Sequence, residues 1–231
     1  NNVSKKYCIK NTFKNYRDLM KEELDAIVLI VRRNHTYHFA REILNYNLPL
    51  FTEKPMAANS IQAEKLLKIS NKNNLTYMVG NMRVHDDGVI KSKIEFDKIL
   101  SKNKLGKLIS FKIYCNAGND YVGIDDYFSS ETKAPSEYFH DNGPDFLKKK
   151  DKAQFEKFLA YFSHDLNLIN FYLGTPTNIF SAKLTKNGGI VTFDYDNFYG
   201  SFEYTYLNQK IWQEGIKFYF ENGYMEVVLP P

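Results

Sequence analysis

Cysteine is scarce: the chain holds only Cys8 and Cys115, far apart and in no Cys-x-x-Cys or metal-ligand spacing. That argues against a disulfide framework or a cysteine-built metal site, and it reads Cys115 as a core residue. Glycine is absent before Gly80. A Gly-x-Gly-x-x-Gly turn, which lets backbone approach a pyrophosphate at a helix end, is therefore missing from the whole first third of the sequence. No apolar run approaches the roughly 20 residues that cross a bilayer. The opening Asn1-Asn2-Val3-Ser4-Lys5-Lys6 lacks the apolar core of a signal peptide, so the expected location is the cytoplasm, with no membrane partner. Charge of one sign is also in short supply. A formal net charge of +4 suits an anionic cofactor or substrate. It falls short of the concentrated basic face of a nucleic-acid binder, so nucleic acid is set aside. There are no internal repeats and no low-complexity linker.

What is present begins with 231 residues at 43% hydrophobic content, enough for one large domain or two small ones with real cores. Tyr16 to Lys21 reads as the end of a helix. The unbroken apolar run Ala26 to Val31 reads as a parallel strand covered on both faces. Tyr37, Ala40, Ile43 and Leu44 then recur at helical spacing. Leu50-Phe51-Thr52 is a second short strand, and Glu53-Lys54-Pro55 falls at its carboxyl end, the place where open α/β sheets bind ligands. Asn59 with Gln62 forms a capping box for a helix that carries Ala63, Leu66 and Leu67 inward. Thr76 to Gly80 completes a β-α-β-α-β order, the pattern of a doubly wound parallel sheet.

Beyond Gly80 the periodicity changes. Val89 to Leu100 is predicted helical, and Ile109, Phe111, Ile113 and Cys115 alternate with polar neighbours as one face of a half-buried strand. Phe198, Phe202, Tyr204 and Tyr206 alternate likewise, as do Ile216, Phe218 and Phe220. Asn222-Gly223 signals a type I′ hairpin, and Asn187-Gly188 a second turn. Between these strands a helix is predicted from Leu166, closed by Gly174 and Pro176, with His164 at its start. Lys148-Lys149-Lys150 with Lys152 reads as a solvated loop, and Trp212-Gln213-Glu214-Gly215 as sheet packing. The expected fold is α/β: a partial parallel sheet in a domain over residues 1–82, then an α+β domain over 83–231 with a large open, mainly antiparallel sheet.

The order of strand, Asn34-His35, helix, strand and Glu53-Lys54-Pro55 resembles the Gfo/Idh/MocA family of NAD(P)-dependent oxidoreductases, and the resemblance extends over nearly the whole chain. Val79-Gly80-Asn81-Met82-Arg83 is similar to that family's glycine-to-arginine segment lining the cleft. His164 and Gly174 keep the spacing of its Asp-x-Gly-x-His and Leu-Gly stretch. The resemblance implies a Rossmann-like first domain and hydride transfer between NAD or NADP and a sugar, sugar derivative or cyclic polyol. Lys54 and His164 would be catalytic. Asn34, Glu53, Lys54, Pro55 and Asn81 would touch the cofactor, with His35 and His38 weaker candidates, and Arg83 and His164 would touch the substrate. Arg83 has the alternative of pinning the crossing between domains.

Two departures matter. Ala160 and Phe162 replace the family's aspartate and glycine before the histidine, which removes part of an acid–base set, and the adjacent Asp165 points elsewhere on a helix. The glycine fingerprint is missing too. Two explanations stand for it: the first βαβ unit is absent from this chain, or the protein does not hold a dinucleotide. These departures keep open a degenerate sugar-binding or scaffold member, and a structural dimerisation domain built on the aromatic sheet. Aromatic residues on both faces of that sheet, such as Tyr199 beside Phe198 and Tyr219 beside Phe218, predict a homo-oligomer joined through its open face.

Overall fold

The computed structural model describes residues 2–118 and 143–230. The described residues divide into two units: the chain up to Gly80 with residues 143–156, and residues from Asn81 to 118 with Lys157 to 230.

In the first unit, short helices α1 (Asn2–Lys6) and α2 (Tyr16–Leu19) precede β1 (Ile27–Leu29), α3 (Arg33–Asn45), β2 (Leu50–Thr52), α4 (Ser60–Lys72) and β3 (Tyr77–Val79). The strands pair in parallel in the order β1-β2-β3, with Ile27 beside Leu50 and Leu50 beside Tyr77. Parallel strands need helical crossovers, and α3 and α4 are those crossovers. Asn59 caps α4 by accepting from Gln62 N at 3.0 Å, while Gln62 Oε1 reaches back to Ala58 N at 3.2 Å, one residue earlier than a standard capping box. Ala40, Ile43, Leu44 and Leu66 pack with Ile27 and Leu50. The expectation of a sheet covered on both faces is corrected here. Alternation sends Val28 and Met78 to the other side, where Val28 is 66% exposed. Leu67, expected inward, is exposed as well, and Ser70 is buried in its stead.

The second unit opens with a 3₁₀ turn (Met82–His85) and α5 (Asp87–Ser101), capped by Asp86. It then builds β4 (Leu108–Ala117), β5 (Asn178–Thr185), β6 (Gly188–Asp194), β7 (Tyr199–Tyr206), β8 (Trp212–Phe220) and β9 (Gly223–Leu229). Helix α6 (Lys149–Leu173) precedes β5, and its residues from Lys157 onward belong to this unit. The sheet runs β5-β6-β7-β4-β8-β9, antiparallel except for the parallel pair β4 and β7. Its inner face, Phe111, Ile113, Cys115, Phe202, Tyr204, Ile216 and Phe218, packs on α5 and α6. Phe162 alone meets the rings of Phe158, Phe202, Tyr204 and Tyr206 at centroid distances of 4.6–5.8 Å. Each such fully buried side chain contributes about 1.5–3 kcal/mol of transfer free energy.

Three expectations shift. Helix α6 begins at Lys149 rather than Leu166, so Lys149, Lys150 and Lys152 are helical and not loop. No proline or glycine interrupts the chain from Phe146 to Leu173, and Phe158, Phe162, Asp165, Leu168, Ile169 and Tyr172 form one buried stripe at helical spacing. Both hairpins form, but each turn sits one residue earlier than expected, at Lys186-Asn187 and Glu221-Asn222. Neither pair has the positive φ that a type I′ turn requires.

Candidate functional site

The parallel sheet assembles part of the site at one rim. Glu53, Lys54 and Pro55 leave the carboxyl end of β2, Asn34 lies in the first turn of α3 just beyond β1, and Gly80 follows β3. Backbone hydrogen bonds extend past the strands there: Glu53 N to Leu29 O at 3.4 Å and Gly80 N to Thr52 O at 2.8 Å. The Lys54–Pro55 peptide is cis, and Glu53 folds back so that its Oε2 accepts from Lys54 N at 3.1 Å. Glu53 is exposed, while Lys54, Pro55 and Asn34 are half-buried. Asn34 lies at the amino end of the 13-residue α3, where the helix dipole favours an anionic or carbonyl-bearing ligand. His35 is buried in contact with Phe39, and His38 also lies edge-on to Phe39, so both imidazoles pack within the helix layer. Asn81 is the next residue after Gly80 and leads into the 3₁₀ turn without capping it by its side chain.

In the second unit His164 sits deep within α6, not at its start. The sheet-facing stripe of that helix is apolar except for Asp165. Asp165 is fully buried beside the Cys115 thiol. Burial, then the Asp165 and Glu214 carboxylates, push the Cys115 thiol far above its usual range, and Arg83 pulls the other way. Asp165 is thus spent inside the core. His164 lies off that stripe, with Ala160 one turn before it and Asn167 beside it at i+3, while its chain neighbour Ser163 points about 100° away around the helix. Ser163 Oγ and Asn167 Oδ1 are shielded from water without a hydrogen-bond partner among the described residues. Sequence reasoning missed these two. Extending the helix back to Lys149 would have placed Asn167 on the histidine's face.

Arg83 has its own partners. Its Nη2 pairs with Glu214 Oε2 at 2.7 Å and its Nη1 donates to Pro230 O at 2.9 Å, and the residue is only 8% exposed. Trp212 Nε1 donates to the same Glu214 oxygen at 2.9 Å, and its ring stacks on Tyr161. Of the two roles weighed for Arg83, this geometry supplies a structural one. Lys54 and His164 belong to different units, so each is placed only within its own.

Residues 1–81 match the family model described as "Oxidoreductase family, NAD-binding Rossmann fold". Among curated proteins no sequence matches. Solved structures share the fold. The myo-inositol 2-dehydrogenase of Lactobacillus plantarum superposes with a TM-score of 0.71 at 17% identity, over 97% of this chain and 64% of its own. GenD2 from gentamicin A biosynthesis, in complex with NAD, gives 0.77 at 12% identity over 99% and 61%. The WlbA dehydrogenase of Bordetella pertussis, in complex with NADH and UDP-GlcNAcA, gives 0.69 at 16% identity over 94% and 61%. The chain thus spans under two thirds of the length of these solved structures. Residues 1–81 are thus similar to the Gfo/Idh/MocA oxidoreductase family, and the solved structures share the fold through the remainder of the chain.

Proposed function

We propose that this protein moves a hydride between NAD or NADP and a hydroxyl-bearing carbon of a sugar, sugar derivative or cyclic polyol, with Lys54 and His164 handling the substrate oxygen. The observation that carries the reading is the placement of Glu53-Lys54-Pro55 at the carboxyl end of the central strand of a parallel sheet, within the family match. Two fold neighbours, a myo-inositol 2-dehydrogenase and a dehydrogenase in complex with NADH and UDP-GlcNAcA, support the polyol and sugar class.

The residues at hand fit one end of a dinucleotide. Asn34, Glu53, Lys54 and Pro55 share the rim, Asn81 follows Gly80 in the chain, and the α3 amino terminus supplies the positive end of its dipole. The sequence before Gly80 offers no glycine turn for the pyrophosphate. When bound, a nicotinamide supplies the hydride acceptor or donor. The Lys54 ammonium donates a hydrogen bond to the substrate oxygen and favours the charge that builds on it. A neutral His164 imidazole takes the hydroxyl proton during oxidation and returns it in the reverse direction, help of the kind worth about 10²–10⁴-fold. Asn167 presents an amide to a further substrate hydroxyl from the histidine's helix face. A homo-oligomer joined through the six-stranded sheet and a cytoplasmic setting complete the reading. Among the described residues no helix is long and apolar enough to cross a membrane.

A second reading, a catalytically degenerate sugar-binding or scaffold member, draws on Ala160 and Phe162. Ala160 offers no carboxylate on the histidine's face, and Phe162 is committed to the aromatic core. Nicotinamide absorbance, followed with the protein as its gene encodes it across a panel of polyols and sugars, separates the two. The proposal expects turnover with at least one member. Binding of a sugar without any absorbance change supports the degenerate reading.

A further inference from the structure

A serine inside a helix ordinarily satisfies its hydroxyl on its own backbone. Ser70 on α4 and Ser92 and Ser101 on α5 do so, each donating to the carbonyl three residues back, at 3.1, 2.8 and 3.4 Å. Ser163, in the interior of α6, does not. Its Oγ is shielded from water and has no hydrogen-bond partner among the described residues. Asn167 stands out in the same way against its neighbour. Asn170 Oδ1 accepts from Thr175 Oγ1 at 3.3 Å, whereas Asn167 Oδ1 is shielded and has no partner among the described residues. Buried polar atoms are nearly always paired, and leaving one unpaired is costly, so two orphans on one helix call for a partner.

Helical spacing brings the two orphans together. Ser163 and Asn167 lie about 40° apart around the axis, and side chains so spaced hold their Cβ atoms about 5–6 Å apart. Asn167 lies about 60° from His164, so the amide stands between the hydroxyl and the imidazole. All three are off the buried stripe of Phe162, Asp165, Leu168, Ile169 and Tyr172. Ala160, one turn earlier, adds only a methyl group to this patch. Both residues are half-buried, so the patch reaches the surface although the two oxygens are shielded.

From this arrangement we infer that Ser163 is a specificity-determining residue, which with Asn167 holds one neutral hydroxyl of the substrate flanking the oxygen that meets His164. A hydroxyl can donate to the Asn167 carbonyl oxygen and accept from the Ser163 hydroxyl at once. An ether oxygen cannot donate, and a deoxy carbon does neither. Neither side chain supplies a countercharge, so an ammonium or a carboxylate would lose its hydration there without compensation. A site built to bond a substrate hydroxyl rejects the analogue that lacks it, because its own polar groups are then stranded. The place of this hydroxyl beside the reacting carbon rests on the proposed role of His164; the site itself rests on the two oxygens.

Urea unfolding and calorimetric binding of myo-inositol and D-glucose, on the protein as its gene encodes it, test the inference. Without ligand, Ser163→Ala removes a hydroxyl that bonds to nothing, so its urea midpoint should match or exceed the parent's. With ligand, Ser163→Ala should weaken the tighter-binding polyol at least tenfold, and Ser101→Ala should leave its Kd unchanged. At least one monodeoxy analogue of that polyol should lose a similar factor on the parent and nothing further on Ser163→Ala. A lower midpoint for Ser163→Ala overturns the inference, since the hydroxyl then has a structural partner. Equal affinity of parent and Ser163→Ala also overturns it and assigns the two oxygens to trapped water, and so does a parent that binds neither polyol. Binding that depends on Ser163 without any nicotinamide turnover defeats the hydride-transfer reading and leaves this site standing; turnover with affinity indifferent to Ser163 does the reverse.

Discussion

Arg83 shows what one buried cation does when its partners are fixed. Its guanidinium is the hydrogen-bonded partner of a Glu214 carboxylate that is 2% exposed, and it ties the segment after β3 to β8 and to Pro230. Removing one member of such a pair leaves the other charge stranded in the core. Arg83→Met should therefore destabilise the protein by about 3–5 kcal/mol in urea unfolding, and Arg83→Met with Glu214→Leu should recover part of that loss. An unchanged midpoint in the single variant would show the pair to be dispensable. Tyr195 supplies a pH effect of definite sign. Burial raises its phenol from 10.0 to about 12, and its hydroxyl donates to Gly174 O at 3.0 Å. Below pH 10 both folded and unfolded chains hold the proton, so this group adds no pH dependence. As pH rises from 10 to about 12 only the unfolded chain releases it, so stability falls over that window. Tyr172, Tyr204 and Tyr77 are raised in the same direction, mainly by burial, and steepen the decline. Tyr195→Phe should make it shallower, measured as the urea midpoint against pH. At this scale Lys54 and His164 are proposed from their local settings in the sequence. It left Arg83 between two roles because the residue that decides it, Glu214, lies 131 positions away.

Secondary structure was legible wherever one local rule acted alone. The runs at Ile27–Leu29, Leu50–Thr52 and Tyr77–Val79 are short and apolar, and each is a strand. Asn59 announced α4 by its cap. Helix α6 was legible only in part, because aromatic residues and a buried Asp165 interrupt the expected aliphatic stripe, and its true start carries lysines that resemble a loop. The turns were found one residue late because glycine marks the first residue of β6 and β9 here, not the turn itself. Strand interiors hide one further constraint. Gly200 in β7 lies across from Phe111, and a Cβ added there would fall 2.0 Å from the phenyl ring. That ring is held between Phe193 and Tyr195, so it cannot swing away. Gly200→Ala should cost about 1–3 kcal/mol by overpacking, and Phe111→Leu in the same chain should relieve part of it. Equal stability of Gly200→Ala and the parent would mean that the β4–β7 pair is looser than it is here.

At the scale of the molecule, one unit carries Glu53-Lys54-Pro55 at the carboxyl end of a parallel strand, and the other carries an aromatic sheet backed by the helix that bears His164. The division into a parallel and a mainly antiparallel sheet was readable from the change of hydrophobic period near Gly80. The bare face of the small sheet, with Val28 outward, was not, because an unbroken apolar run looks the same whether one face or both are covered. The proposed hydride transfer gives catalytic roles to Lys54 and His164. The most direct test is kcat for Lys54→Ala and His164→Ala, each beside the parent in the protein as its gene encodes it, with cofactor affinity measured alongside. The account predicts that each substitution lowers kcat by about 10²-fold or more while cofactor affinity is retained, the mark of groups used in the transition state. Unchanged turnover in both variants would contradict it.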